Sequence, residues 1–153
     1  MIVVSVSEQR LIHRYRGVRR CYPVSTARAG AGNRRNSLMT PLGRHRIYAK
    51  IGAGLPPWTV FRARQPIGLF DDLDDGVSRD WILSRILWLE GCQTGVNRRG
   101  ACDTRARFIY IHGTNEESLI GQPVSHGCIR MRNWDIMELF DRVRVGETVL
   151  IRP

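Results

Sequence analysis

The chain has 153 residues, 42% hydrophobic and 25% charged, enough to bury the core of one globular domain over residues 1–153 without disulfides or metal ions. Its formal net charge of +10, from 24 Lys and Arg against 14 Asp and Glu residues, favours anionic partners. The basic residues are scattered, and no basic helix with interleaved aromatic residues is found, so we expect no nucleic-acid partner.

The cysteine pattern and the N-terminal residues bear on compartment. Cys21, Cys92, Cys102 and Cys128 form no C-x-x-C pair and no zinc-ribbon spacing, so we expect neither a disulfide framework nor a structural zinc site. Residues 1–6 lack the features of a secretory signal, and no run of about twenty apolar residues could span a membrane. The prediction is a cytoplasmic protein without membrane contact. The alternative is a periplasmic protein whose leader was removed, and the oligomeric state is left open.

The first third of the chain is predicted to be an antiparallel meander. Short β-branched or alternating runs cover residues 2–6, 9–16 and 18–25. His13 is predicted to be a surface residue, because no second ligand type stands at metal-binding spacing from it. A loop rich in Gly, Asn, Arg and Ser follows over residues 26–39, and a further strand is expected at 44–51.

The middle of the chain holds brief strands at 59–63 and 66–69 and then an acidic segment at 71–75. That segment fails as a calcium loop, because Leu73 and Ile82 would stand where oxygen ligands are required, so we expect a solvated loop. Residues 81–89 are the most apolar stretch and predict a core element, either a buried strand or a packed helix. Residues 91–106 are interpreted as an excursion near the functional site.

The C-terminal third carries the residues with chemistry. An apolar run at 108–111 predicts a buried strand with His112 at its end. Cys128, sixteen residues further on, is expected on a turn with Gly127. Asn133 is predicted to cap an amphipathic helix. The apolar face of that helix is expected to carry Ile136, Leu139, Phe140 and Val143.

Cys128 is a candidate nucleophile. A thiol with its ordinary pKa of about 8.5 is mostly protonated at neutral pH and needs an adjacent base, for which His112 and His126 are the nearby candidates. Nucleophile, base and a glycine-containing turn form a coherent set for acyl transfer. A zinc site of His112, His126 and Cys128 is the alternative, but a zinc-bound thiolate would be neutralised as an attacking group.

These segments resemble the L,D-transpeptidase catalytic domain of YkuD (ErfK/YbiS) type. The resemblance rests on His112-Gly113-Thr114, on Ser125-His126-Gly127-Cys128-Ile129-Arg130, on residues 22–26 and 145–149 and on the Thr-Pro-x-Gly turn at 40–43. It covers nearly the whole chain and is weakest from 55 to 107. It implies a mainly β fold, a flattened antiparallel β-barrel or sandwich with one amphipathic helix in the C-terminal half. It also favours a strand at 81–89 and implies no metal or cofactor.

The resemblance implies roles for the site residues. Cys128 attacks an amide carbonyl, His112 takes the thiol proton, and the Gly113 carbonyl orients the imidazole. The backbone N–H groups of Gly127 and Cys128 form the oxyanion hole.

The neighbouring residues are expected to bind substrate or shape the loop. Arg130 is expected to pair with a substrate carboxylate or to fix the loop through its planar fork. Ser125 and His126 shape the loop, and His126 is the second candidate for the base.

The family's substrate is the peptidoglycan stem peptide, cleaved between a diamino acid and a terminal D-Ala. We predict hydrolysis of stem peptides or muropeptides in recycling, an L,D-carboxypeptidase activity, because residues 1–6 show no leader. One alternative is a periplasmic L,D-transpeptidase that forms 3-3 crosslinks. Another is a non-catalytic peptidoglycan-binding module, against which Cys128 and His112 argue.

Overall fold

The computed structural model describes all residues from 1 to 153. It contains ten strands and two α-helices. The strands are β1 (Ile2–Ser5), β2 (Arg10–Tyr15), β3 (Val18–Pro23), β4 (Gly43–Ile51), β5 (Thr59–Arg62), β6 (Gln65–Leu69), β7 (Ile82–Gly91), β8 (Tyr110–Gly113), β9 (Ile129–Met131) and β10 (Thr148–Arg152); the helices are α1 (Phe70–Leu73) and α2 (Asn133–Arg142).

All ten strands belong to one curled sheet in the order β3-β2-β1-β10-β4-β7-β5-β6, with β8 paired to β7 and β9 paired to β8. The mainly β fold class is confirmed. Two pairs, β1 with β10 and β8 with β9, are parallel, so the sheet is mixed rather than wholly antiparallel. Parallel neighbours need a long connection, and residues 114–128 provide one between β8 and β9.

Helix α2 packs on the sheet against β7 and β8. Ile136, Leu139 and Phe140 are buried against β7 and β8, as the apolar spacing predicts, while Trp134 is exposed. They join a cluster of 18 buried hydrophobic residues drawn from eight of the strands, the helix and nearby segments. This core fixes the positions of β8 and β9, which carry the site.

The expected N-cap role of Asn133 is wrong. Asn133 is the first residue of α2, is fully buried and makes no capping bond. Its Nδ2 donates to the Thr114 carbonyl oxygen at 2.8 Å, and its Oδ1 accepts from Ser84 Oγ at 2.6 Å. The carboxylate of Glu117 accepts from the Asn133 N–H at 2.8 Å, so a distant acid satisfies the free donor of the first turn.

The prediction of His13 as a surface residue is also wrong. Its exposed fraction is 2%, and its Nε2 lies 3.4 Å from the Glu147 carboxylate, which is itself largely buried. Burial lowers the pKa of His13 although Glu147 opposes the shift. Sequence spacing could not reveal this contact, because Glu147 approaches from the turn before β10.

The middle of the chain follows its main expectations. Residues 82–91 form strand β7, so the strand alternative for the apolar stretch is confirmed. Strands β5 and β6 form a hairpin whose two turn residues, Ala63 and Arg64, both have positive φ, as a tight two-residue turn requires. The acidic segment begins in the short helix α1, and its aspartates are exposed.

Four free cysteines are present, and no helix reaches the length and apolarity that a membrane crossing would need.

Candidate active site

The parallel pairing of β8 and β9 brings the two motifs together. His112 pairs with Arg130, and Ile111 pairs with Ile129. Side chains alternate between the faces of a strand, so the two isoleucines enter the core while His112 and Arg130 share the opposite face. Cys128 stands two residues before Arg130 and lies on that face as well.

His112 is held by the backbone of its own strand. Its exposed fraction is 1%, and its Nδ1 lies 2.7 Å from the Gly113 carbonyl oxygen. A carbonyl can only accept a hydrogen bond, so Nδ1 carries the proton and Nε2 offers a lone pair. Burial lowers the pKa of His112, against the opposing charge of Asp80 and the bond to Gly113. A neutral imidazole able to accept a proton at Nε2 is the result.

Gly113 permits this arrangement because it has no side chain. A Cβ at this position would lie 2.5 Å from Asn133 Oδ1 and 2.7 Å from the Leu83 carbonyl oxygen. Neither neighbour can withdraw easily, since Asn133 is fixed by Thr114 and Ser84. Packing against Asn133 and Leu83 therefore explains why a glycine follows His112 in the sequence.

The Cys128 thiol lies against the backbone of the segment leading into β8. Its Sγ accepts from the Tyr110 N–H at 3.4 Å and donates to the Phe108 carbonyl oxygen at 3.5 Å. Burial raises the pKa of Cys128 to about 12, with the Asp80 charge adding to the shift and the Tyr110 bond, Arg130 and Arg107 opposing it. The thiol is therefore protonated at neutral pH. Transfer of the thiol proton to His112 would require the Cys128 side chain to leave its weak contacts with the Tyr110 N–H and the Phe108 carbonyl oxygen.

The turn before Cys128 is held by hydroxyl groups. Ser125 Oγ donates to the Cys128 carbonyl oxygen at 2.6 Å and accepts from the Gly127 N–H at 3.2 Å. Thr40 Oγ1 donates to the Gly127 carbonyl oxygen at 3.0 Å. Gly127 has a φ of 126°, a conformation that favours glycine. The Cys128 N–H has no hydrogen-bond partner within the chain.

Arg130 is a buried cation of the site and is paired with two carboxylates. Its side chain is 3% exposed, with Nη2 2.9 Å from the Asp80 carboxylate and Nη1 3.6 Å from that of Glu116. Burial would raise the pKa of Asp80, but the charge of His112 in its protonated form, the charge of Arg130 and the hydrogen bonds from Arg130 and His126 hold it below its usual range. Arg130 is thus committed to internal acids, an arrangement that fits the loop-fixing role among the two expected for it.

His126 is exposed to solvent, whereas His112 is buried. Its side chain is 67% exposed, and its Nδ1 lies 3.3 Å from the Asp80 carboxylate. Asp80 therefore contacts both His126 and Arg130, and its charge reaches His112. No three His, Cys, Asp or Glu side chains are grouped so as to hold a metal ion.

Asp80 and Glu116 were missed in the sequence. Neither belongs to a motif, and Asp80 is separated from Arg130 by the whole of β7 and β8. One signal was available, because an arginine placed on a buried strand needs a carboxylate partner. That rule predicts an acid but cannot say which one.

Two clefts meet at His126. The first, of about 250 Å³, is lined by Arg35, Asn36, Leu38, Ala106, Arg107, Phe108, Ile109 and His126. The second, of about 220 Å³, is lined by Arg28, Ser78, Arg79, Asp80, Glu116, Leu119, Val124, His126 and Arg130. The first adjoins Cys128, since the Phe108 carbonyl contacts Cys128 Sγ.

The mainly β fold, with a His-Gly segment on β8 and a Ser-His-Gly-Cys segment leading into the adjoining β9, defines the class of the protein as that of the L,D-transpeptidases. The chain belongs to the YkuD family: the model of the L,D-transpeptidase catalytic domain matches residues 1–151. The family expected from the motifs is thereby confirmed.

Individual relatives agree with this assignment. The protein named ErfK/SrfK of Escherichia coli (strain K12) is 30% identical over 164 residues, covering 98% of this chain and 43% of the relative. YbiS of the same strain is 56% identical over 43 residues, covering 28% of this chain and 14% of the relative. The chain thus spans less than half the length of these relatives.

Solved structures share the fold. L,D-transpeptidase 3 of Mycobacterium tuberculosis, in complex with a faropenem-derived adduct, has a TM-score of 0.61 and 16% identity, covering 99% of this chain and 59% of that chain. The L,D-transpeptidase LdtMt1 in complex with imipenem has a TM-score of 0.59 and 20% identity, covering 99% and 57%.

Proposed function

We propose that the protein transfers acyl groups through a thioester on Cys128, with His112 as the base. The observation that carries the proposal is that His112 offers an unprotonated Nε2 on the sheet face that also carries Cys128. The thiol proton passes to His112, and the sulfur bonds to the amide carbon. The C–N bond then breaks, and His112 returns the proton to the leaving amine.

The backbone at Cys128 supports this chemistry. Attack on a carbonyl places negative charge on its oxygen, and a donor aimed at that oxygen typically contributes about 3 kcal/mol. The Cys128 N–H is adjacent to the nucleophile and is unpartnered. The Gly127 N–H, the second donor implied by the family, is bonded to Ser125 Oγ at 3.2 Å, so it would have to exchange that bond for one to substrate.

The proposed substrate is a peptidoglycan stem tetrapeptide, cleaved before its terminal D-Ala. Family membership supports it, and so does the net charge of +10, which suits peptides rich in carboxylates. Relatives of this fold form complexes with imipenem or carry a faropenem-derived adduct. Imipenem is therefore a suitable acylating probe for Cys128.

For the acyl acceptor we propose water, which makes the reaction an L,D-carboxypeptidase step. We further propose that its substrates are muropeptides inside the cell. Water at about 55 M outcompetes a dilute amine unless a second stem is held in place. The cleft beyond His126 has two acids, and both are paired with Arg130, while Arg28 has no acidic partner. That cleft therefore offers no free carboxylate to an ammonium group.

The second candidate is 3-3 crosslinking of the wall outside the cytoplasm. The observation that favours it is the cleft itself, because a crosslinking enzyme needs a place for a second stem beside the acyl-enzyme.

The test is incubation with disaccharide-tetrapeptide, with and without excess acceptor stem, followed by mass analysis. We expect disaccharide-tripeptide as the main product in both mixtures and no turnover by C128S. Dimeric product in the presence of acceptor would replace hydrolysis with crosslinking. Absence of any product would remove the proposed function. Fractionation of the native protein tests the compartment.

A further inference from the structure

The peptide unit between Gly127 and Cys128 has a hydrogen bond at its carbonyl group and none at its N–H group. Its carbonyl oxygen, on Gly127, accepts a hydrogen bond from Thr40 Oγ1 at 3.0 Å. Its N–H, on Cys128, has no partner. A peptide unit is planar and trans, so the C=O and the N–H point in opposite directions. The contact from Thr40 therefore also sets the direction of the Cys128 N–H.

The direction of the Thr40 hydroxyl is itself determined. Thr40 is fully buried, and its Oγ1 accepts from the Ala27 N–H at 3.0 Å. Since an N–H can only donate, the hydroxyl proton is left to donate to Gly127. The backbone of Thr40 is anchored as well, with its N–H bonded to the Gly30 carbonyl and its carbonyl to the Gly32 N–H.

The hydrogen bond from Thr40 restrains this peptide unit, and the restraint is needed because the residue before Cys128 is a glycine. Gly127 lies at a φ of 126°, and a residue without Cβ can populate both halves of φ space. Without a fixed Gly127 carbonyl, the peptide unit could rotate and turn the Cys128 N–H away from the oxygen of the substrate carbonyl that the thiol attacks. A Cβ cannot provide the restraint, since it would lie 3.3 Å from the Met39 carbonyl oxygen.

We propose that Thr40 is a positioning residue, which holds the Cys128 N–H toward the oxygen of the substrate carbonyl as it acquires charge. The inference rests on the proposed acyl transfer at Cys128. It assigns a chemical role to the first residue of the Thr-Pro-x-Gly turn, 87 positions away from the glycine it contacts.

A purely structural role for Thr40 has a different signature. The hydroxyl satisfies two buried backbone groups, so its removal lowers stability in either case. A loosened turn would change every reaction of the Cys128 thiol. Misdirection of one N–H would slow only reactions that develop an oxyanion.

Two reactions of the same thiol separate these cases. Imipenem acylates through a tetrahedral oxyanion, whereas iodoacetamide alkylates by direct displacement and forms none. Thr40→Val keeps the shape of the side chain and removes the hydroxyl. Thr26→Val is the matched control, because Thr26 is also fully buried but its Oγ1 is bonded to Gln9 Nε2 at 2.6 Å.

We expect Thr40→Val to slow acylation by imipenem by about tenfold to a hundredfold, somewhat less than the removal of an oxyanion donor, with alkylation changed less than about twofold. Thr26→Val should leave the ratio of the two rates unchanged, and Thr40→Ser, which keeps the hydroxyl, should restore it. Thr40→Ala serves if the valine variant does not fold. Equal slowing of both reactions, or of neither, in Thr40→Val and Thr40→Ala would overturn the inference. A wild-type protein that alkylates but never acylates would instead remove the proposed function.

Discussion

The strands that carry the reactive groups and the segments that cover them are stabilised differently. Strands β8 and β9 are fixed by register and core, with Ile111 and Ile129 buried beneath His112 and Cys128. Residues 26–42 and 92–107 contain little regular structure and are fixed by individual long-range hydrogen bonds. His112 thus lies on a paired strand and Cys128 directly before one, and the groups that orient the backbone at Cys128 come from loops.

Single side chains join the two loops to each other and to the sheet. Arg107 donates to the Met39 carbonyl oxygen at 2.6 Å, and Asn97 donates to those of Leu42 and Arg44 at 3.1 Å. His45 on β4 contacts Thr104 Oγ1 at 2.9 Å. The comparison teaches that changes on the strands should remove the chemistry, whereas changes in the loops should first lower stability.

The largest effect is expected on the strand side, at the nucleophile. Cys128→Ser should lower turnover by about 10³-fold or more, because the hydroxyl is a far weaker nucleophile in the same place. Steady-state hydrolysis of the tetrapeptide measures it. Cys92→Ser is the control and should retain activity. Retained activity in Cys128→Ser would remove this thiol from the mechanism.

The next effect is expected where the loop meets the sheet, and it depends on pH. Burial lowers the pKa of His45 to about 4. Between the unfolded value of 6.5 and about 4 only the unfolded chain takes up the proton, so stability falls as the pH falls, by about 3 kcal/mol in all. Well above pH 6.5 the ring is neutral in both states and contributes no slope.

Urea unfolding of the wild type and of His45→Gln, from pH 7 to pH 4, measures this contribution. Glutamine keeps a donor and an acceptor but does not titrate, so its stability should fall less steeply over that interval. Identical slopes for the two proteins would show that His45 is not the group responsible.

The base on β8 should show a slightly smaller effect. His112→Ala should lower turnover by about 10²-fold, the usual value of a positioned base, and His126→Ala should cost less. The lowered pKa of His112 places the acid limb of the pH–rate profile below the ordinary imidazole value of 6.5. Added chelator should change nothing. A larger loss in His126→Ala would reassign the base, and recovery by zinc after chelation would revive the metal interpretation.

The smallest effect is expected within the loops. Asn97 is fully buried, and Asn97→Ala would leave two carbonyl groups and the Gln93 N–H without their partner. The loss should be about 2 kcal/mol in the free energy of unfolding. Chemical denaturation measures it, with Arg34→Ala, at an exposed residue of the other loop, as the control. An unchanged midpoint for Asn97→Ala would contradict the account of how the loops are held.

The same contrast explains what could be predicted from the sequence. The apolar run indicated a core element at 81–89, which the family resemblance favoured as a strand, and apolar spacing placed the buried face of α2. The two motifs indicated His112 and Cys128. These features depend on neighbours along the chain. Asp80, Glu116 and Thr40 contact the site from distant segments and leave no periodic trace. Asn133 and His13 were misplaced for that reason, since their partners Glu117 and Glu147 come from other elements.

The central claim, a thioacyl-enzyme on Cys128, has a direct measurement. The protein is mixed with disaccharide-tetrapeptide, quenched in acid within the first turnovers, digested and analysed by mass spectrometry. The account predicts that the peptide containing Cys128 gains the mass of the disaccharide-tripeptide acyl group, with free D-Ala released in an amount equal to this adduct plus the tripeptide product already hydrolysed. Turnover without any such adduct, or an adduct confined to Cys21, Cys92 or Cys102, would contradict it.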